Sequence, residues 1–144
     1  MDDLFLRDKV ETLSHEISKD RFLVQGAGGN VSWKTDKHLW IKLSGTWLSQ
    51  AKQKNIFGSI KLQTLQKFID KKDYNLNPDL MDQKNVRPSI EVMIHAVLNY
   101  KFVFHLHMVD VISQLFNNPQ KLVFDLSLNN IHAKIIPYKK PGDE

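Results

Sequence analysis

Apolar residues recur at near-helical spacing through residues 3–19, at Leu4, Phe5, Val10, Leu13 and Ile17, and predict an amphipathic first helix. The pattern breaks at Gly26-Ala27-Gly28-Gly29-Asn30, where three glycines in four positions stop a helix and permit positive φ. Residues 31–34 (VSWK) and 38–43 (HLWIKL) read as two strands of a hairpin, with Thr35-Asp36-Lys37 as the turn and Ser44-Gly45-Thr46 closing the second strand. Residues 62–70 predict a short helix. Residues 71–88 are polar and hold Pro78 and Pro88, which makes them a loop within the domain. Ser89 is placed to N-cap a helix over 90–99, with Glu91 in its first turn. A strand over 101–107, a helix over 109–116 ended by Asn117-Asn118-Pro119, and a last strand over 131–138 complete the pattern. Alternation of helices and strands predicts an α/β or α+β fold with a central sheet.

Composition narrows the class. The 144 residues, 42% hydrophobic, suit one domain spanning 1–144 with its own core. No apolar stretch is long enough for a transmembrane helix, and the opening MDDLFLRDKV carries acids where a secretory signal needs basic residues and then an apolar run. The absence of cysteine removes disulfides, thiolate nucleophiles and Cys-based zinc sites, so a reducing, cytoplasmic setting is expected. The net charge of +4 is spread along the chain without a nucleic-acid motif, so neither nucleic acid nor membrane is expected as a partner. A small anionic substrate stays open.

The densest chemistry lies between Arg87 and His107, RPSIEVMIHAVLNYKFVFHLH. His105 and His107 stand two apart on an expected apolar strand, so both imidazoles leave one face. Two such rings can hold a Zn²⁺ ion, or be a hydrogen-bonded core pair. Glu91 begins the helix that leads into this strand, where a carboxylate can ligate a metal or act as general acid/base. His95 follows Glu91 by four residues and either orients it, joins the site or packs in the core. A catalytic zinc needs a third protein ligand, for which Glu91, His132 and His95 are the candidates. His15 and His38 read as surface residues. Gly26–Asn30 by itself is either a tight turn or an anion cradle.

Four motifs in register then give a resemblance. Gly-Ala-Gly-Gly-Asn-Val-Ser (26–32), Leu-Ser-Gly (43–45), Pro-Ser-Ile-Glu (88–91) and His-Leu-His (105–107) resemble the class II aldolase/adducin N-terminal family, which includes fuculose- and rhamnulose-phosphate aldolases and ribulose-phosphate 4-epimerases. Residues 26–34 and 39–51 look closer to aldolase domains fused to short-chain dehydrogenases. The resemblance implies a three-layer fold with a central, mostly antiparallel sheet flanked by helices, and a cytoplasmic homotetramer in carbohydrate metabolism. It also implies a zinc-dependent lyase that cleaves a small sugar or sugar phosphate through a metal-stabilised enediolate. By similarity, His105 and His107 are ligands of Zn²⁺ or another divalent metal and Glu91 is the acid/base. Gly28, Gly29, Asn30, Ser44, Gly45 and Ser89 would bind substrate or its phosphate. Ala27 and Ile90 stand where these aldolases commonly carry hydroxyl residues, and the family's third histidine comes from a His-Gly segment further downstream than Glu144. The chain is therefore expected to be the N-terminal portion of such a domain. A non-catalytic adducin-like binding module is the alternative on the same fold. A cupin-like two-histidine site with Asp110 conflicts with the helical pattern over 109–116.

Overall fold

The computed structural model describes residues 3–73, 78–81, 86–120 and 131–136. It divides into two compact units, residues 1–107 and 108–144. In chain order the first contains helix α1 (Asp3–Ile17), strands β1 (Asn30–Lys34), β2 (His38–Lys42) and β3 (Phe57–Lys61), helices α2 (Leu62–Asp70) and α3 (Val92–Val97), and strand β4 (Phe102–His105). A 3-10 turn over Leu48–Gln50 lies between β2 and β3. The second unit contains helix α4 (Val109–Asn117).

The sheet order is β3-β2-β1-β4, with every neighbouring pair antiparallel. Alternation along each strand divides its side chains between two faces. On one face Val31 and Trp33 of β1 and Phe57 of β3 pack with Leu6 and Val10 of α1, Leu48, Ala51 and Ile56. Trp33 stands opposite Trp40 in the β1–β2 register and stacks on it at 5.5 Å, while Phe57 meets Trp33 edge-on. On the other face Leu39, Ile41 and Ile60 pack with Leu65 of α2, Val92 and Met93 of α3, Leu43 and Leu80. Two helical layers thus sandwich the sheet of the first unit. The close approach of Leu80 to β3 requires Gly58, because a Cβ there would stand 2.7 Å from Leu80 Cδ2.

The hairpin, α1, α2 and α4 lie where the sequence pattern predicts them. Other expectations are corrected. The buried stripe of α1 is Leu6, Val10 and Ser14, spaced four apart, while Leu4, Phe5 and Leu13 are exposed. Strand β3 went unforeseen because Phe57-Gly58-Ser59-Ile60-Lys61 has a glycine at its centre. Helix α3 covers Val92–Val97 rather than 90–99, so Glu91 occupies the N-cap position expected for Ser89. Strand β4 ends at His105, two residues early, because its ladder with β1 ends at the Asn30–His105 pair. Beyond it, the His107 N–H bonds to the Leu23 carbonyl instead. Nor is β4 a buried apolar strand: among the described residues it is a sheet edge, and Phe102 and Phe104 are exposed. Residues 131–136 belong to no strand; 137 and 138, the rest of that expected strand, lie outside the described residues.

Candidate active site

The site grows from the polar face of β1. Asn30, Ser32 and Lys34 alternate with Val31 and Trp33, and all three meet α3 or its flanks. Asn30 Nδ2 donates to Glu91 Oε2 (2.8 Å). Ser32 Oγ lies 2.7 Å from His95 Nδ1. Lys34 Nζ donates to the carbonyls of Ala96 (3.1 Å) and Leu98 near the helix C-terminus, where a cation is favoured. A six-residue helix is marginal by itself. Three polar contacts from one strand set its position, and with it the position of Glu91.

The antiparallel register places His105 directly opposite Asn30, so its ring leaves the same sheet face. Its Nδ1 donates to Glu91 Oε1 at 2.6 Å. Burial would raise the Glu91 pKa, but hydrogen bonds from His105 and Asn30 and the His105 charge outweigh it and hold the carboxyl at about 2. The hydrogen bond to Glu91 raises His105 above the ordinary histidine value, against the opposing effect of burial. His107 lies past the strand, yet its ring centroid is 5.1 Å from that of His105. Gly28 makes this placement fit, because a Cβ there would stand 2.8 Å from His107 Nδ1.

The remaining expected residues have contacts of their own. Gly26, Gly29 and Gly45 adopt positive φ. Ser44 and Gly45 are exposed. The Ser44 N–H bonds to the Arg87 carbonyl, and the Ser89 N–H bonds to the Lys42 carbonyl, so the Ser44-Gly45 turn lies beside the Ser89 segment. The Ser89 hydroxyl donates to Glu91 Oε2 at 3.3 Å. The His95 ring does not hydrogen-bond to the Glu91 carboxylate: it is buried against Ser32, and its Nε2 has no partner among the described residues. Burial lowers its pKa to about 4, so it is neutral at pH 7. His15 bonds to the Ser49 carbonyl (3.0 Å), and His132 is exposed in the second unit. Sequence reasoning missed Lys42, which is buried with its Nζ donating to the carbonyls of Ala27 (3.3 Å) and Thr46 (2.7 Å). Its lone charge inside an apolar strand was the available signal. A separate cavity of about 610 Å³ opens at the other end of β1, lined by Lys34, Thr35, Lys37, His38 and Tyr100 among others but not by Glu91, His105 or His107.

A model of the Class II Aldolase and Adducin N-terminal domain family matches residues 9–144. The chain belongs to this family. It is 33% identical over 147 residues to a Bacillus subtilis (strain 168) protein described as the uncharacterized oxidoreductase YuxG, covering 90% of this chain and 21% of YuxG. The chain thus spans about a fifth of that relative's length, in agreement with the resemblance to aldolase domains joined to dehydrogenases. The solved N-terminal class II aldolase domain of a conserved protein from Thermoplasma acidophilum superposes with a TM-score of 0.72 at 26% identity, over 94% of this chain and 69% of that one. The fold is therefore class II aldolase-like, a mixed α/β fold with a four-stranded antiparallel sheet.

The family is typically metal-dependent. Two imidazoles and a carboxylate are donors of the kind a divalent metal takes. Among the described residues, however, no group of three His, Cys, Asp or Glu lies close enough together to hold a metal ion. The donors fit in kind, and the described residues do not complete the ligand set. Among them, too, no helix is long and apolar enough to cross a membrane.

Proposed function

We propose that the chain carries the acid/base and metal-ligating part of a class II aldolase-type lyase, which cleaves a carbon–carbon bond in a small sugar or sugar phosphate. The observation that carries this reading is the meeting of Glu91 with His105 at 2.6 Å, beside the His107 ring. His105 and His107 would hold a divalent metal such as Zn²⁺, which when bound supplies Lewis acidity toward carbonyl and hydroxyl oxygens. Glu91 is ionised at neutral pH and is the proton acceptor of the site. Asn30 fixes Oε2 and His105 holds Oε1, so Oε1 accepts a substrate proton when the His105 hydrogen bond opens. The glycine loop 26–30 and the Ser44-Gly45 turn form an anion cradle, supported by their positive-φ glycines.

The incomplete ligand set among the described residues favours a second reading, a binding module without catalysis. One experiment separates the two. The purified chain is supplied with Zn²⁺ or Co²⁺, and metal stoichiometry is measured together with aldehyde release from small ketoses and their 1-phosphates. Cleavage that falls by about 100-fold or more in Glu91→Gln, with bound metal lost in His105→Ala, supports the lyase. Tightly held metal that survives His105→Ala overturns the assigned site. Anion or sugar binding without cleavage in the metal-loaded chain selects the binding module.

A further inference from the structure

We propose that the cavity at the hairpin end of the sheet is a second ligand site, and that it takes a nucleoside monophosphate. It is separate from the Glu91–His105 centre and does not depend on the lyase reading. The ladder sets Asn30 opposite His105 at one end of β1, whereas Lys34 ends the strand four residues on. At strand rise that is about 13 Å away. The cavity lies at this second end, with a volume of about 610 Å³. Pockets for small organic ligands commonly span about 300–1,000 Å³.

Backbone hydrogen bonds tie the walls together, so the concavity is formed before any ligand arrives. The Lys34 N–H bonds to the Lys101 carbonyl at 2.8 Å and joins the end of β1 to the start of β4. The Leu62 N–H bonds to the Lys37 carbonyl at 2.9 Å and joins the hairpin turn to α2. Within the turn, the Thr35 hydroxyl accepts from the His38 N–H at 3.2 Å. Leu6 and Leu62 add apolar surface to the lining. A ligand that enters such a site has little protein left to order, which favours binding.

The lining offers a group for each part of a nucleoside monophosphate. Lys34 is already occupied by the Ala96 and Leu98 carbonyls. Lys37 and Lys101 are exposed and, among the described residues, form no ion pair. Two such ammonium groups on one cavity suit the charge of a phosphate dianion. Tyr100 is 69% exposed, so its ring is free to stack on a base. The Asn99 amide has both donors and an acceptor for a base edge, and the exposed Asp36 carboxylate can accept from ribose hydroxyls. Inorganic phosphate would engage the lysines and leave Tyr100 and Asp36 without a role. That difference favours a nucleotide over a simple anion.

The test reads neither metal nor bond cleavage, so its failure leaves the lyase reading untouched. The isotope-labelled full chain is titrated at constant ionic strength with AMP and UMP and, separately, with their nucleosides and with inorganic phosphate. Saturable shifts are expected with at least one nucleotide at the amides of Lys37, Asn99, Tyr100 and Lys101 and at the Tyr100 ring. The matching nucleoside and inorganic phosphate should each bind about ten-fold or more weakly, since each lacks half of the recognised groups. Tyr100→Ala should weaken the nucleotide about five-fold or more through lost stacking. Replacing Lys37 and Lys101 together by Gln should weaken it about ten-fold, with a dispersed, folded spectrum. Absence of saturation with either nucleotide overturns the proposal, as do shifts confined to residues 26–30. Inorganic phosphate that binds as tightly as the nucleotide refutes recognition of the ring, and a nucleoside that does so refutes recognition of the charge. Variants that bind as wild type does are equally fatal; should a variant not fold, the wild-type titrations decide.

Discussion

At the scale of single residues, glycine acts here in two ways. Gly26 and Gly45 have free space around them and are needed for their backbone angles. Gly28 is needed for space, since an added Cβ would meet His107 Nδ1 at 2.8 Å and the Gln25 carbonyl at 2.9 Å. The imidazole can swing away, but the carbonyl belongs to the backbone of the same turn. Gly28→Ala should therefore cost about 1–3 kcal/mol through overpacking and move the His107 ring. Urea unfolding measures the first effect and the His107 imidazole resonances the second; a variant with wild-type stability and unchanged resonances would contradict the geometry. The glycine-rich stretch was legible in the sequence as a chain reversal. Its role in making room for His107 was not, because Gly28 and His107 become neighbours only when β4 pairs with β1.

At the scale of elements, β1 and α3 are the decisive pair. The strand buries apolar Val31 and Trp33 on one face and polar Asn30 and Ser32 on the other. The alternation suggests a half-solvated strand by pattern, yet α3 covers the polar face. Ser32 is the middle contact of this face. Ser32→Ala would leave His95 with both ring nitrogens buried and unpartnered, at a cost of about 1–3 kcal/mol. Hydrogen exchange should quicken across the amides of Val92–Val97 while β2 and β3 stay protected. Uniform protection of α3 in the variant would mean that apolar packing by Val92 and Met93 suffices to hold the helix. The existence of this helix was readable from the sequence, but its length was not. Ile90 is 86% exposed and Glu91 turns toward His105, so neither has a reason to join the helical stripe.

At the scale of the whole molecule, the site groups couple folding to pH with opposite signs. The folded pKa of Glu91, about 2, lies below its ordinary 4.5, so its contribution is present above pH 4.5 and lost as pH falls through about 2. That of His105 is raised above 6.5, so its contribution is complete below 6.5 and lost as pH rises through the raised value. Their pair thus stabilises most between about pH 4.5 and 6.5. His95 works against it there: its folded value of about 4 means stability is lost as pH falls from 6.5 toward 4. Wild-type stability therefore mixes the two effects, whereas the difference between wild type and Glu91→Gln isolates the pair. Urea unfolding across pH 2–8 should show that difference peaking between about 4.5 and 6.5 and shrinking on both sides. A difference that does not change with pH would refute the ion pair as a contributor to folding.

Local pattern by itself determined the hairpin, the positions of α1, α2 and α4 and the glycine reversal, because helix and strand periods and turn chemistry act over a few neighbouring residues. It also supplied Glu91, His105 and His107 as the chemical candidates, since only a few residue types bind metals or move protons. Tertiary structure decided the rest. Register set Asn30 opposite His105, and the end of that ladder left His107 outside the strand but still beside its partner. Helix packing consigned His95 to the core and brought Glu91 to the sheet. Lys42 found its partners only when chain closure gathered the glycine loop, the Thr46 turn and Ser89 around it. Such contacts join residues far apart along the chain, so no local spacing encodes them, and the balance between burial and hydrogen bonding is settled only once every layer is in place.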